Sequence, residues 1–181
     1  HTETLRAVAA VVLNISPDHM DRYTDLNAYA TAKARIYRHA ETSVINADDP
    51  AVSAMRDGVP FSGETAPLQG WGLLARQGRT YLARHGEPLL ATSELRIAGR
   101  HNLANALAAL ALAEAAGLPL APCLEALRDF QGLEHRTQWV AEANGVRWYD
   151  DSKGTNVGAT LAAVAGLPGR QQLGQLLPDA L

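Results

Sequence analysis

Asp18, His19 and Asp21 crowd the segment "SPDHMD". An imidazole set among carboxylates can hold a divalent cation or orient a phosphate. The same residues also suit an ordinary turn whose aspartates cap backbone amides. Lys33 is a second point of chemical interest. Projected at about 100° per residue from Leu26, it falls within about 20° of the stripe made by Leu26, Ala30, Tyr37 and Ala40. Arg35, Arg38 and His39 project to the other side, as solvated charges should. An inward lysine must find a partner or give up its charge. A neutral amine is a nucleophile, and adding carbon dioxide turns it into a carbamate, an anion on a long arm. The alternative is a lysine whose stem packs while its head reaches water.

Three further segments carry polar chemistry. In "GRHNLANALAAL", Asn102 and Asn105 lie on one side of a helix start, where amides offering both donor and acceptor can read a purine edge. Capping by Asn102 explains the same residue equally well. In "EHRTQ", Arg136 can swing onto a phosphate or ribose. "DDSKGTN" gathers Asp151, Ser152, Lys153, Thr155 and Asn156. Such a loop supplies amides, hydroxyls and an ammonium to an anionic substrate, or it is a helix N-cap with incidental charge.

These side chains need a frame. Ala7 to Ile15 is a continuous apolar run of strand length, stopped by Pro17. Thr24 or Asp25 can cap a helix that carries Lys33 to about His39. "TSVINADDP" reads as a second strand ending in carboxylates, followed by a helix from about Pro50 to Arg56 closed by Gly58. Strand, helix, strand, helix is the pattern of a parallel α/β sheet, and "SPDHMD" then falls at its carboxyl edge, where such sheets bind ligands. Val59 to Ile97 reads as short alternating strands, a small antiparallel appendage. Helices follow from His101 to Gly117 and from about Ala121 to Phe130. Beyond "QGLEHR", Asn144-Gly145 signals a type I′ hairpin, and a helix spans about Val157 to Ala165.

The 181 residues are 47% hydrophobic and 19% charged, with net charge −3 and no Lys/Arg run, which argues against nucleic acid as partner. No apolar stretch reaches the roughly 18 residues that cross a bilayer, so membrane insertion is not expected. Cys123 is the lone cysteine, so a disulfide framework is excluded and a cytoplasmic location is expected. His1 is not an initiator methionine, and the chain reads as the middle of a larger protein.

Taken in order, "LNISPDHMDRY", "AKARIY", "NADD", "GRHNLANALAAL", "GLEHR" and "WYDDSKGTNVGAT" resemble the Mur ligases of peptidoglycan synthesis over about Arg6 to Gly166. "DSKGTN" points to the D-glutamate-adding branch; sister ligases and folylpolyglutamate synthetase usually carry a histidine-containing motif there. The resemblance implies a P-loop-type central domain over residues 1–132, lacking its N-terminal part, and the start of a Rossmann-like domain over 133–181. It implies ATP and Mg²⁺ as cofactors and UDP-N-acetylmuramoyl-L-alanine and D-glutamate as substrates, joined through an acyl phosphate. A monomer is expected for the full-length form.

By the same resemblance His19 matches a histidine at a Mg²⁺ site. Lys33 matches a lysine carried as a carbamate on that metal. Asn102 and Asn105 match adenine-side asparagines. Arg136 and Asp151 match contacts to phosphate or ribose, and Lys153 and Thr155 match positions at the amino-acid side, with Lys153 counted among the catalytic residues. Asp150 stands where asparagine is common. No G-x-x-x-x-G-K-[ST] occurs, a metal-binding Glu would precede His1, and the tail after Gly169, "RQQLGQLLPDAL", departs from the family. The isolated chain is therefore expected to be inactive. The alternatives are another amide ligase of the superfamily and a non-catalytic binding module on the same scaffold.

Overall fold

The computed structural model describes residues 4–167, and the tail beyond Gly169 lies outside them. Runs of small and β-branched apolar residues can be buried on both faces of a sheet, which suits parallel pairing. β1 (Ala9–Val12) and β2 (Thr42–Asn46) pair in parallel, Ala9 opposite Thr42. Between them runs α1 (Leu26–Ala34), capped by Asp25, whose Oδ1 accepts the Ala28 amide at 2.7 Å. The helix then tightens into a 3₁₀ turn over Arg35–Tyr37. α2 (Pro50–Ser53) follows β2 with Asp49 as its cap and ends short of the expected Arg56.

β3 (Val59–Ser62) pairs in parallel with β2, and β4 (Trp71–Arg76) in parallel with β3. β5 (Arg79–Arg84) and β6 (Glu87–Ala91) complete the sheet as antiparallel neighbours. The order is β1-β2-β3-β4-β5-β6 in one six-stranded sheet. The expected small antiparallel appendage is thus corrected: β3 and β4 extend the parallel sheet, and only β5, between β4 and β6, runs the other way. Glycine permits the junction. A Cβ at Gly70 would sit 2.2 Å from the Pro60 carbonyl oxygen, and one at Gly72 2.0 Å from that of Thr65, so any side chain there would push the strands apart.

α3 (Arg100–Ala115) covers the sheet through Ala106, Leu107, Ala108, Leu110 and Ala111. Leu107, Phe61, Trp71, Leu82 and Leu90 are almost wholly buried in one core, each side chain contributing about 1.5–3 kcal/mol by burial. Gly117, at φ 74°, ends the helix in the left-handed conformation the sequence predicts. α4 (Leu120–Asp129) packs its apolar side on the same core.

A second core joins Val12, Tyr37, Ala40, Ile45 and Val52. Tyr37 is 2% exposed. Its hydroxyl accepts the Val12 amide at 2.7 Å and donates to the Val44 carbonyl at 3.0 Å, and burial pushes the phenol above its ordinary range.

β7 (Gln138–Ala143) and β8 (Val146–Asp150) form the hairpin. Asn144 and Gly145 stand at φ 52° and 74°, as the type I′ turn requires. α5 (Val157–Gly166) closes the described chain, capped by Asn156, whose Oδ1 accepts the Ala159 amide at 2.8 Å.

Candidate functional site

The polar segments gather where β1, β2 and β3 end. Asn46, Asp48 and Asp49 brace those ends. Asn46 Nδ2 donates to the Leu13 carbonyl at 2.7 Å, while Asp49 Oδ2 accepts the Ile15 amide at 2.7 Å. Asp48 accepts from Ser62 Oγ at 2.5 Å and the Gly63 amide at 2.6 Å. Read from the sequence, these carboxylates merely end a strand. In the fold Asp49 fixes the start of the loop that carries Asp18 and His19, and Asp48 holds the turn after β3.

Asp18 Oδ1 accepts the His19 amide at 2.9 Å, and His19 takes φ 55°. This is the local turn chemistry foreseen for "SPDHMD". The His19 imidazole is exposed, with Nε2 3.7 Å from Asp18 Oδ2. Asp18 Oδ2 also accepts from Asn156 Nδ2 at 3.1 Å, so the loop after β1 touches the cap of α5. A Cβ at Gly158 would lie 3.0 Å from Ser16 Oγ, which shows how closely α5 starts against that loop.

Lys33 corrects the helical projection. Its side chain is exposed, with Nζ 5.2 Å from the centroid of the Tyr29 ring. Two physical reasons account for this. Leu26, on the same projected face, is itself 37% exposed, whereas Tyr29 is the buried residue of α1. The 3₁₀ turn advances about 120° per residue, which rotates Tyr37 and Ala40 off the projected stripe. Arg35, Arg38 and His39 are exposed as expected. Among the described residues no group of three or more His, Cys, Asp or Glu stands ready for a metal ion. Mg²⁺ takes oxygen ligands in near-octahedral array, and an imidazole plus an unmodified lysine do not fit it.

Asn102 is not the helix cap. That position belongs to Gly99, at φ 94°. Asn102 Nδ2 donates back to the Ala98 carbonyl at 2.7 Å, and its Oδ1 faces Asn105 Nδ2 at 3.4 Å. Asn102 and Arg136 line one cavity of about 520 Å³, with Ile97, Gly132, Thr137 and Trp139 among its other walls. Asn105 is not on that wall.

Asp151 is not on that wall but holds Thr137, which is: its Oδ1 accepts the Thr137 amide at 2.8 Å and the hydroxyl at 3.2 Å. Thr137 Oγ1 also lies 3.1 Å from His101 Nε2. Burial pushes the His101 imidazole below its ordinary range, against the opposing pull of the Asp151 carboxylate and the Ala162 backbone. The sequence reading missed both residues; proximity to Asn102 and Arg136 was the only signal. Asp150 pairs with His135 at 2.7 Å and accepts the Ser152 amide at 2.9 Å. These bonds, His135 first, hold its carboxyl down to about 2. Lys153 and Thr155 are exposed, the Lys153 amide bonding the His135 carbonyl at 3.1 Å.

The "Mur ligase middle domain" description matches residues 1–113. The UDP-N-acetylmuramoylalanine–D-glutamate ligases of Nitrosococcus oceani and Pasteurella multocida are 60% and 52% identical to the chain over 171 and 168 residues, 92% of it in each case. The chain spans 38% of the length of each. The UDP-N-acetylmuramate-alanine ligase of Thermotoga maritima aligns with TM-score 0.62 at 28% identity, over 79% of this chain and 34% of its own. MurF of Acinetobacter baumannii, at 23% identity and TM-score 0.66 over 86% of this chain and 36% of its own, shares the fold alone. No helix among the described residues is long and apolar enough to cross a membrane. With the middle-domain description covering more than half of its residues, the chain belongs to the Mur ligase family.

Proposed function

We propose that this chain is the nucleotide-handling part of a D-glutamate-adding ligase of peptidoglycan synthesis, with residues 133 onward opening a second domain. In this reading ATP phosphorylates the carboxylate of UDP-N-acetylmuramoyl-L-alanine. The amine of D-glutamate then attacks the acyl phosphate, forming the amide and releasing phosphate. The observation that carries it is the meeting of Asn102 and Arg136 on one cavity of about 520 Å³, a volume suited to a small-molecule ligand. The Asn102 amide can pair with an adenine edge, and the Arg136 guanidinium can fork onto a phosphate or ribose. Asn105 steadies Asn102, Asp151 sets the loop, and exposed Lys153 and Thr155 face the incoming amino acid. The curated relatives' names support the choice of substrates.

ATP and Mg²⁺ are the cofactors this reading calls for. His19 and Lys33 make no Mg²⁺ site as they stand; a carbamate on Lys33 would supply the oxygen donor they lack. In the full-length parent chain, Asn102→Ala and Arg136→Ala each raise KM for ATP about tenfold or more, as loss of a charge-assisted or bidentate contact does. Unchanged KM in both, or no ADP formed with both substrates present, refutes the reading. Lys33→Ala lowers turnover, and bicarbonate or short carboxylic acids restore it; unchanged turnover removes the carbamate role. The 181-residue polypeptide alone, which has no Walker-type phosphate loop, gives no turnover in the same assay.

A further inference from the structure

Three segments far apart in the chain meet at one hydroxyl. His101 stands on the first turn of α3, Thr137 just before β7, and Asp151 just after β8. Thr137 is 5% exposed and takes φ 48°. A β-branched residue rarely adopts that left-handed conformation, and it persists only where the surroundings over-determine it.

The surroundings do so through three contacts on Thr137, its amide and hydroxyl to Asp151 Oδ1 and its hydroxyl to His101 Nε2. The hydrogens can be assigned by counting. An ionised carboxylate only accepts, so the single hydroxyl hydrogen goes to Asp151. The hydroxyl oxygen is then left to accept Nε2–H from a neutral His101.

Two members of this chain of bonds touch or adjoin a wall of the cavity. His101 precedes Asn102, Thr137 follows Arg136, and Asn102, Arg136 and Thr137 all line it. We propose that Thr137, gripped by His101 and Asp151, is a positioning residue that sets the separation of Asn102 and Arg136 across the nucleotide cavity. The inference rests on the function proposed above. Thr137 touches no reacting atom in it; it acts through Arg136 on one side and through His101 on Asn102 on the other.

The test uses the full-length parent chain, with ATP affinity by calorimetry and KM for ATP against kcat. Thr137→Val keeps the shape and removes the hydroxyl, and weakens ATP about tenfold in Kd and KM with kcat at saturation within about twofold, the size expected for a lost hydrogen bond and displaced side chains. Thr137→Ser restores wild-type values. His101→Leu breaks one of the two hydroxyl bonds that Thr137→Val removes and weakens ATP in the same direction, and combining the two adds nothing to Thr137→Val, which already lacks that bond. Should Thr137→Val fail to fold, His101→Leu against His101→Gln, which keeps a donor, decides the matter. A folded Thr137→Val or His101→Leu variant with wild-type ATP affinity, or a loss confined to kcat, overturns the inference. A wild-type parent that binds no ATP refutes instead the function on which it rests.

Discussion

Asp49→Ala takes one carboxylate away from three backbone amides. Oδ1 accepts from Ala51 at 2.9 Å and Val52 at 3.2 Å, and Oδ2 accepts from Ile15 at 2.7 Å. Losing the cap costs about 1 kcal/mol. The Ile15 amide loses a hydrogen bond to a charged group, which is worth about 1.5–3 kcal/mol. Together the change removes about 2.5–4 kcal/mol from a total that for a domain is about 5–15 kcal/mol. Asp49→Asn separates the two contributions. Its one carbonyl oxygen can still cap α2, but its amide group meets the Ile15 N–H donor to donor.

Urea unfolding of the 181-residue chain followed by circular dichroism should therefore rank wild type above Asn and Asn above Ala. Hydrogen exchange at the Ile15 amide should quicken in both variants. A loss below about 0.5 kcal/mol for Ala, or Asn and wild type alike at Ile15, would refute the claim that this carboxylate ties β1 to β2. The consequence reaches the site, because Ile15 leads directly into the loop of Asp18 and His19.

Tyr37→Phe leaves the Val12 amide and Val44 carbonyl buried without the hydroxyl that joins them, and should cost about 1–3 kcal/mol in the same urea titration. Leu107→Ala, at a wholly buried position of α3, should cost about 2–5 kcal/mol and lower the urea midpoint accordingly. The Asp150 carboxyl should titrate near 2 by carboxyl-carbon NMR, and His135→Ala should return it toward 3.8. Because its pKa is depressed, whatever stability the pair gives is present above about 4 and lost as pH falls through about 2.

Local signals in the sequence were legible wherever local physics decides. Asn144-Gly145 and Gly117 announce backbone conformations that other residues avoid, and the fold adopts them. The first strand is shorter than its apolar run because Leu13 and Ile15 spend their backbone groups on Asn46 and Asp49 instead of on a neighbouring strand. Alternation in Val59 to Ile97 marks strands but carries no direction, so the parallel pairing of β3 and β4 could not be read from it. Lys33 shows a different limit. A projection at constant pitch assumes one helix type throughout, and the change at Arg35 breaks that assumption. The ammonium then gains from the face of Tyr29, a contact that periodicity does not rank. Asp18 with Asn156, 138 residues apart, and Asn102 with Arg136 are pairings that only the tertiary fold creates.

The rim of the parallel sheet also shows why residue type and position together do not identify chemistry. Asp18, Asp48 and Asp49 stand beside its strand ends, and Asp150 and Asp151 at the end of β8. Asp48 and Asp49 spend their oxygens on amides and a hydroxyl of the strand ends, Asp150 on His135 and Ser152, and Asp151 Oδ1 on Thr137. Each bond made in the fold is an acceptor site that a ligand cannot use without breaking it. Asp18 divides itself between the His19 amide and Asn156. By contrast the His19 imidazole, the Lys33 ammonium and the Lys153 ammonium are all exposed. A hydrogen bond leaves a carboxylate charged, so these aspartates stay anionic while they hold the strand ends and loops from which His19 and Lys153 stand exposed.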